Sequence, residues 1–289
     1  MSDTARVAGP VHVIGASGRS GAALCRALVA RGVAVVAVVR RPAAWQALGI
    51  PGEMRVAELR DPAALATALG NAARIASCAH ARHTAAILAA APRRARLVLL
   101  GSTRRFTRWI DAHGSGVLAG EVALLASGRP GVMLHPTMIY GAQGEDNVRR
   151  LARLLRWLPV VPLPGGGRHL VQPIHQDDVT RCVLAALDYP WQGPQAMVIA
   201  GPTPLPYAAF VRAVAAAAGL GRPRIVPVPG WLLMAAAPLT RLLTFLPRIR
   251  AAEVRRLMED KAFPIATMTA TLDVRPIPLE EGLARTFTP

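Results

Sequence analysis

Three glycines spaced by three, Gly15, Gly18 and Gly21, follow the apolar run Val11–Ile14 and open an amphipathic stretch. Between a strand and a helix, such glycines permit a tight turn (Gly15), close approach of backbone to a pyrophosphate (Gly18), and helix packing on the strand (Gly21). The free amides of the helix's first turn then meet the phosphates, and Ser17 and Arg19 add a hydroxyl and a guanidinium. Chains binding a dinucleotide whose ribose carries a free 2′-hydroxyl place a carboxylate about 20 residues further on. This chain reads Val38-Val39-Arg40-Arg41 instead. Two guanidinium groups there suit a 2′-phosphate, so NADP(H) is expected in preference to NAD(H); the competing reading is a solvated turn in an arginine-rich chain.

Groups able to move protons are few. His113, between Asp111 and Gly114, has an ordinary pKa near 6.5 and suits general acid–base work, or is an ordinary loop histidine. Ser102 after an apolar run and Tyr140 in an Ile-Tyr-Gly turn are the hydroxyl candidates. His175, Asp177 and Asp178 suggest a metal cluster, but Asp178 before an apolar helical face reads as a helix N-cap, and no metal is expected. His169, Gln172 and Pro173 are expected to face a cleft between lobes, where a substrate would sit. Cys25, Cys78 and Cys182 lack metal-ligand spacing and read as buried thiols of a reduced, cytoplasmic protein.

The elements that must position these groups follow from hydropathy patterning. Strands are expected at Val11–Gly15, Val33–Val39, Met54–Glu58, Arg74–Ala79, Arg96–Gly101 and Gly131–Pro136, with a returning strand at Ala196–Ala200. These runs do not alternate polar with apolar, as befits strands covered on both faces. Ser20–Arg31, Pro62–Leu69 and His83–Ala91 read as crossover helices, and Asn147–Leu158 as a basic amphipathic helix. Prolines 159, 162 and 164 with Gly165–Gly167 predict a loop, and Gln172–Asp188 leads into another helix. The pattern is α/β: a Rossmann doubly wound parallel sheet with a smaller, mainly helical C-terminal lobe. Residues 1–141, with 171–201 returning, would form the NAD(P)-binding domain; 142–170 and 202–289 would form the lobe.

The 289 residues are 52 % hydrophobic and carry a formal charge of +17, and Lys261 is the one lysine. No acidic residue lies between Asp61 and Asp111, whereas Arg74, Arg82, Arg93, Arg94, Arg96, Arg104, Arg105 and Arg108 do. Positive potential there favours an anionic cofactor, an anionic substrate or a membrane surface. With 4 % aromatic residues and no basic run interleaved with stacking side chains, nucleic acid is a poor partner. The N-terminus lacks the apolar core of a signal peptide, and the longest apolar stretch, Trp231–Leu246, is interrupted by Pro238 and Arg241. A spanning helix is not expected. Peripheral contact through Asn147–Leu158 and Trp231–Leu246 competes with simple packing of both in the core.

Taken together, GASGRSG (15–21), AELRDPAAL (57–65), LLGST (99–103), HPTMIYG (135–141) and LVQPIHQDDV (170–179) resemble the short-chain dehydrogenase/reductase superfamily. The likeness is to its extended and atypical branch of epimerase/dehydratase-like, NmrA-like and complex I accessory-subunit-like proteins. That resemblance implies Glu58 and Leu59 beside the adenine, Ala79 and His80 near the cofactor ribose, and Pro136, Thr137 and Ile139 against the nicotinamide. It also implies a serine or threonine after the fifth strand, matched by Ser102 and Thr103, and a YxxxK pair on the next helix. Aligned through Glu121, that pair falls on His113 and Val117. Valine can neither hold a ribose nor perturb a neighbouring acid. Two functions therefore compete: an NADP(H)-linked oxidoreductase or epimerase-like enzyme acting on an anionic or hydrophobic small molecule, and a non-catalytic NAD(P)H-binding regulatory or accessory protein.

Overall fold

The computed structural model describes residues 9–142, 147–158, 160–238 and 251–287. Along the chain run β1 (Val11–Ile14), α1 (Arg19–Ala30), β2 (Val35–Val39), α2 (Pro42–Gln46), β3 (Glu53–Val56), α3 (Pro62–Leu69), β4 (Arg74–Ser77), α4 (Thr84–Ala90), β5 (Arg96–Leu100), α5 (Ala112–Ala126) and β6 (Gly131–Pro136). Next come β7 (Ile139–Tyr140), α6 (Asn147–Trp157), β8 (Val160–Pro164), β9 (Leu170–Val171), β10 (Ile174–His175), α7 (Gln176–Asp188) and β11 (Pro194–Ile199). The remainder holds β12 (Leu205–Pro206), α8 (Tyr207–Ala217), β13 (Arg224–Val228), α9 (Gly230–Ala236), α10 (Ala251–Arg256), α11 (Ala266–Leu272) and α12 (Leu279–Phe287).

Seven strands form one parallel sheet in the order β11-β6-β5-β4-β1-β2-β3. Chain direction across the sheet reverses between β1 and β4, where a doubly wound sheet opens its binding crevice. Successive residues point to opposite faces: Leu97 and Leu99 enter the core shared with α3, α4 and α5, while Val98 and Leu100 enter the core shared with α1, α2 and α7. Both faces are covered, which is why the strands are apolar throughout.

A third core, built by α6, α8, α12 and the β8–β9 region, forms the C-terminal lobe around Tyr140, Phe210 and Leu283. Val148, Ala152 and Leu155 of α6 are buried in it, so the helix's apolar face is occupied by packing and only Arg149, Arg150, Arg153, Arg156 and Trp157 are exposed. Trp231 and Leu232 of α9 are also exposed; residues 239–246 of the apolar stretch lie outside the described residues.

Two stretches differ from expectation. Residues 160–164, read as loop for their prolines, pair in parallel with β13. A two-stranded ribbon leaves one edge of each strand unpaired, so a missing proline amide there costs no ladder bond. α11, placed by sequence in the lobe, returns to the sheet instead: Met268, Leu272 and Val274 are buried in the core with α7.

Candidate functional site

Gly15 ends β1 with φ +75° and donates its amide to Val38 O at 3.1 Å, locking the turn to β2. A side chain at Gly21 would collide with Gly15 O and lie 2.9 Å from Ala16 Cα, so helix α1 can approach the turn this closely only with glycine there. Gly18 is exposed; a Cβ on it would meet only Gly15 O, at 3.2 Å. Gly18 is also the N-cap of α1 and supplies no side chain, so the cap leaves the first-turn amides to an anion. The loop is an open cradle at the carboxyl edge of the sheet, and its shape fits a pyrophosphate. Ser17 and exposed Arg19 flank it, and Ser20 Oγ anchors it by donating to Gln176 Oε1 at 3.0 Å.

Arg40 and Arg41 stand exposed at the end of β2. Arg40 Nη1 lies 3.9 Å from Glu58 Oε1, both side chains more than half exposed, so the carboxylate expected beside the adenine also faces this arginine. Leu59 packs on the second core, and Asp61 caps α3 by accepting from Ala63 and Ala64 at 3.0 Å each. At the end of β6, Pro136 O accepts from Thr103 Oγ1 at 3.3 Å. Thr137 is buried and its Oγ1 has no partner, an orphaned hydroxyl where the resemblance expects the nicotinamide. Ile139 is half-buried and pairs with Ile174.

His80 lies just beyond β4, after Ala79, and caps the turn Ala81–His83: its Nδ1 accepts from Arg82 N at 3.1 Å. That bond leaves the proton of the neutral ring on Nε2. His113, in the first turn of α5, stands against it with ring centroids 4.2 Å apart and planes at 73°. Burial, then His113 and neighbouring arginines, lower the His80 pKa to about 4. Burial, then Arg104, also holds the His113 pKa below its ordinary value, with Asp111 opposing. Val117, one helical turn on, is buried in the core.

Ser102 Oγ accepts from Arg104 N at 3.2 Å and so starts a short 3-10 turn. Its amide donates to His135 Nδ1 at 3.1 Å. His135 Nε2 lies 2.7 Å from Glu121 Oε2, which also lies 2.9 Å from Arg105 Nε; neither approach is aligned as a hydrogen bond. His135 and Glu121 are buried beneath Ser102, with Arg105 half-buried beside them. The members of this trio come from three different elements, a turn, α5 and β6, and no local periodicity pairs them.

Three expected site residues have structural tasks. Tyr140 is fully buried, its hydroxyl end pressed on Gly282 and its ring 5.2 Å from His175; burial pushes its pKa upward, removing it from acid–base work. Gln172 is buried and fully engaged: Nε2 donates to Gly201 O and Phe263 O, and Oε1 accepts from Phe263 N at 2.8 Å. It ties the backbone at Gly201, after β11, to that at Phe263. His175, not Asp178, caps α7, accepting from Asp177 N at 3.2 Å, while Asp178 accepts from Arg181 and from Ile277 N. His169 is partly exposed, 3.2 Å from Asp260.

Among known proteins, residues 15–114 match a family model described as NAD(P)H-binding. No curated protein sequence matches. Solved structures with the same fold include MoeE5 in complex with UDP-glucose and NAD (TM-score 0.73, 21 % identity, 96 % of this chain and 97 % of that one). A UDP-glucuronic acid 4-epimerase from Bacillus cereus, in complex with UDP-glucuronic acid and NAD, gives 0.72 at 16 % identity, covering 96 % and 98 %. A short-chain dehydrogenase/reductase superfamily protein from Agrobacterium tumefaciens with bound NAD gives 0.70 at 17 %, covering 96 % and 95 %. Over nearly the whole chain the fold is thus that of these epimerase and short-chain dehydrogenase/reductase structures, and its N-terminal part matches the NAD(P)H-binding family model.

Proposed function

We propose that the chain is an NADP(H)-linked oxidoreductase or epimerase-like enzyme in which His113 takes the acid–base role of the absent tyrosine–lysine pair. The observation carrying this reading is the seating of His113 against His80, at the same carboxyl edge of the sheet as the glycine cradle. Gly15–Gly21 would hold the pyrophosphate, Arg40 and Arg41 the 2′-phosphate, and Thr137 Oγ1 a polar group of the nicotinamide end. A bound nicotinamide supplies a hydride donor or acceptor. The residues manage the proton. Near neutral pH His113 is largely an uncharged imidazole, because burial and Arg104 disfavour its cation. It therefore accepts a proton from a substrate hydroxyl in the oxidative direction and returns it to the carbonyl oxygen in the reductive one. The Ser102 hydroxyl, with its oxygen accepting from Arg104 N, keeps its own proton for donation to the substrate oxygen.

The test is NADPH consumption across a panel of aldehydes, ketones, enones, quinones and nucleotide sugars. Turnover on one class, reduced about 10²-fold or more in His113→Asn with cofactor affinity retained, supports the assignment. Tight NADPH binding without consumption on any of them favours the non-catalytic, accessory reading instead.

A further inference from the structure

Glycine gives the loop Gly15–Gly21 its shape and also its freedom, since three of its seven residues have no side chain to hold them. Within the turn, Gly15 N donates to Val38 O at 3.1 Å and Gly18 N to Gly15 O at 2.9 Å. The first turn of α1, whose amides would face the pyrophosphate, is held from behind by a residue 156 positions away: Ser20 Oγ donates to Gln176 Oε1 at 3.0 Å. Gln176 is 2 % exposed and is the first residue of α7, which packs on α1. Thr180 orients its amide: Gln176 Nε2 donates to Thr180 Oγ1 at 3.3 Å, and Thr180 Oγ1 donates to Gln176 O at 3.1 Å. With the donor end so engaged, the oxygen is left for Ser20, and the Ser20 proton is spent on Gln176 rather than on a phosphate. α7 is fixed in its turn. His175 Nδ1 accepts from Asp177 N at 3.2 Å, the fully buried Asp178 accepts from Ile277 N at 2.9 Å, and Arg181 donates to Arg275 O at 2.9 Å.

We propose that Gln176 is a positioning residue for the dinucleotide: acting from behind the loop and through Ser20, it holds the first-turn amides of α1 in the geometry that meets the pyrophosphate. The proposal rests on reading Gly15–Gly21 as the pyrophosphate cradle. When only a fraction of the free protein has the competent conformation, the apparent Kd rises by the inverse of that fraction. A glycine-rich loop released from its anchor samples other conformations, so the anchor raises affinity without touching the ligand. One neutral hydrogen bond corresponds to about three- to ten-fold in an equilibrium constant. The pyrophosphate is common to NADPH and NADH, whereas Arg40 and Arg41 are matched to the 2′-phosphate alone. Loss of the Gln176 anchor therefore weakens both nucleotides alike. Gln176 also lies outside residues 15–114, so dinucleotide affinity depends on a part of the chain that the NAD(P)H-binding family model does not cover.

The experiment titrates NADPH and NADH by fluorescence into the full chain, unmodified and as Gln176→Met, Ser20→Ala and the double variant. Methionine matches glutamine in length and needs no hydrogen-bond partner, so the buried position stays filled. The expected result is that each single variant weakens both nucleotides about three- to ten-fold and leaves their affinity ratio unchanged. The double variant should be no weaker than either single one, because both remove the same bond. Amide hydrogen exchange on the nucleotide-free protein supplies a second readout. In Gln176→Met it should quicken at the start of α1 and stay unchanged in the strands of the sheet, which separates a released loop from a loosened fold. Four results overturn the proposal: unchanged affinity in Gln176→Met, tighter binding there, losses that add in the double variant, or a loss confined to NADPH. Failure of the unmodified chain to bind either nucleotide is a different outcome, which removes the cradle reading and the proposal with it.

Discussion

At the scale of single residues, the proposed preference for NADP(H) rests on Arg40 and Arg41, with Glu58 as a competitor for Arg40. Glu58 sits 3.9 Å from Arg40 in the free protein, so a 2′-phosphate must compete with it for one guanidinium. An exposed pair at that distance is worth only about 0–1 kcal/mol, and a dianionic phosphate should win. Arg40→Ala/Arg41→Ala should therefore weaken NADPH about ten-fold or more and leave NADH nearly unchanged, while Glu58→Gln should tighten NADPH modestly. Fluorescence titration of both nucleotides reads this directly; equal affinity for NADH and NADPH in the unmodified protein would sink it. The glycine turn and the exposed arginine pair at the end of β2 were legible because both are local features of the chain. The packing of Tyr140 and the hydrogen bonds of Gln172 were not legible, because their neighbours, Gly282 and Phe263, are more than 90 residues away. The His135–Glu121–Arg105 trio was invisible for a different reason: it is drawn from a turn, a helix and a strand, and no local periodicity links the three.

At the scale of elements, the sheet was readable almost strand by strand because burial on both faces writes an unbroken apolar run at each one. The β8–β13 ribbon was not, since proline content signals a break and only a partner strand reveals an edge. The element that matters most for the proposed site is α5, which carries His113 and bears on the Ala81–His83 turn that His80 caps. Gly120 makes this contact possible: a Cβ there would collide with Ala81 O and lie 2.9 Å from Thr84 Oγ1. Gly120→Ala should push α5 off that turn, costing about 1–3 kcal/mol by overpacking and separating the two imidazoles. Leu118→Ala, on the exposed side of the same helix, should change stability by no more than about 0.5 kcal/mol. Urea melts of the two variants make the comparison. Equal stabilities would mean that the α5 contact yields without cost.

At the scale of the whole molecule, an arginine-rich chain that buries its histidines should be acid-sensitive. His12, His80, His83, His113 and His135 all have pKa values lowered from the ordinary one, burial being the largest cause in each case, and those of His80 and His135 fall to about 4. A histidine with a lower pKa folded than unfolded binds more protons unfolded in the interval between the two values. Stability is then intact above about 6.5 and declines as pH falls from there toward 4. His135, almost fully buried, alone should account for about 2 kcal/mol between pH 7 and pH 5, given about 1.4 kcal/mol per pKa unit. Glu121 beside it acts in the opposite sense, because burial raises its carboxyl pKa and the protonated form is favoured in the fold. One acid cannot cancel five bases. Asp111 and Asp177, held below their ordinary values by hydrogen bonds, add a further loss at still lower pH as their folded forms protonate. Denaturant melts at pH 7 and pH 5 should therefore show a clear drop in the unmodified chain and a smaller drop in His135→Gln, whatever that substitution costs at neutral pH. A drop of the same size in both would mean that the buried His135 ring is not the group taking up the proton.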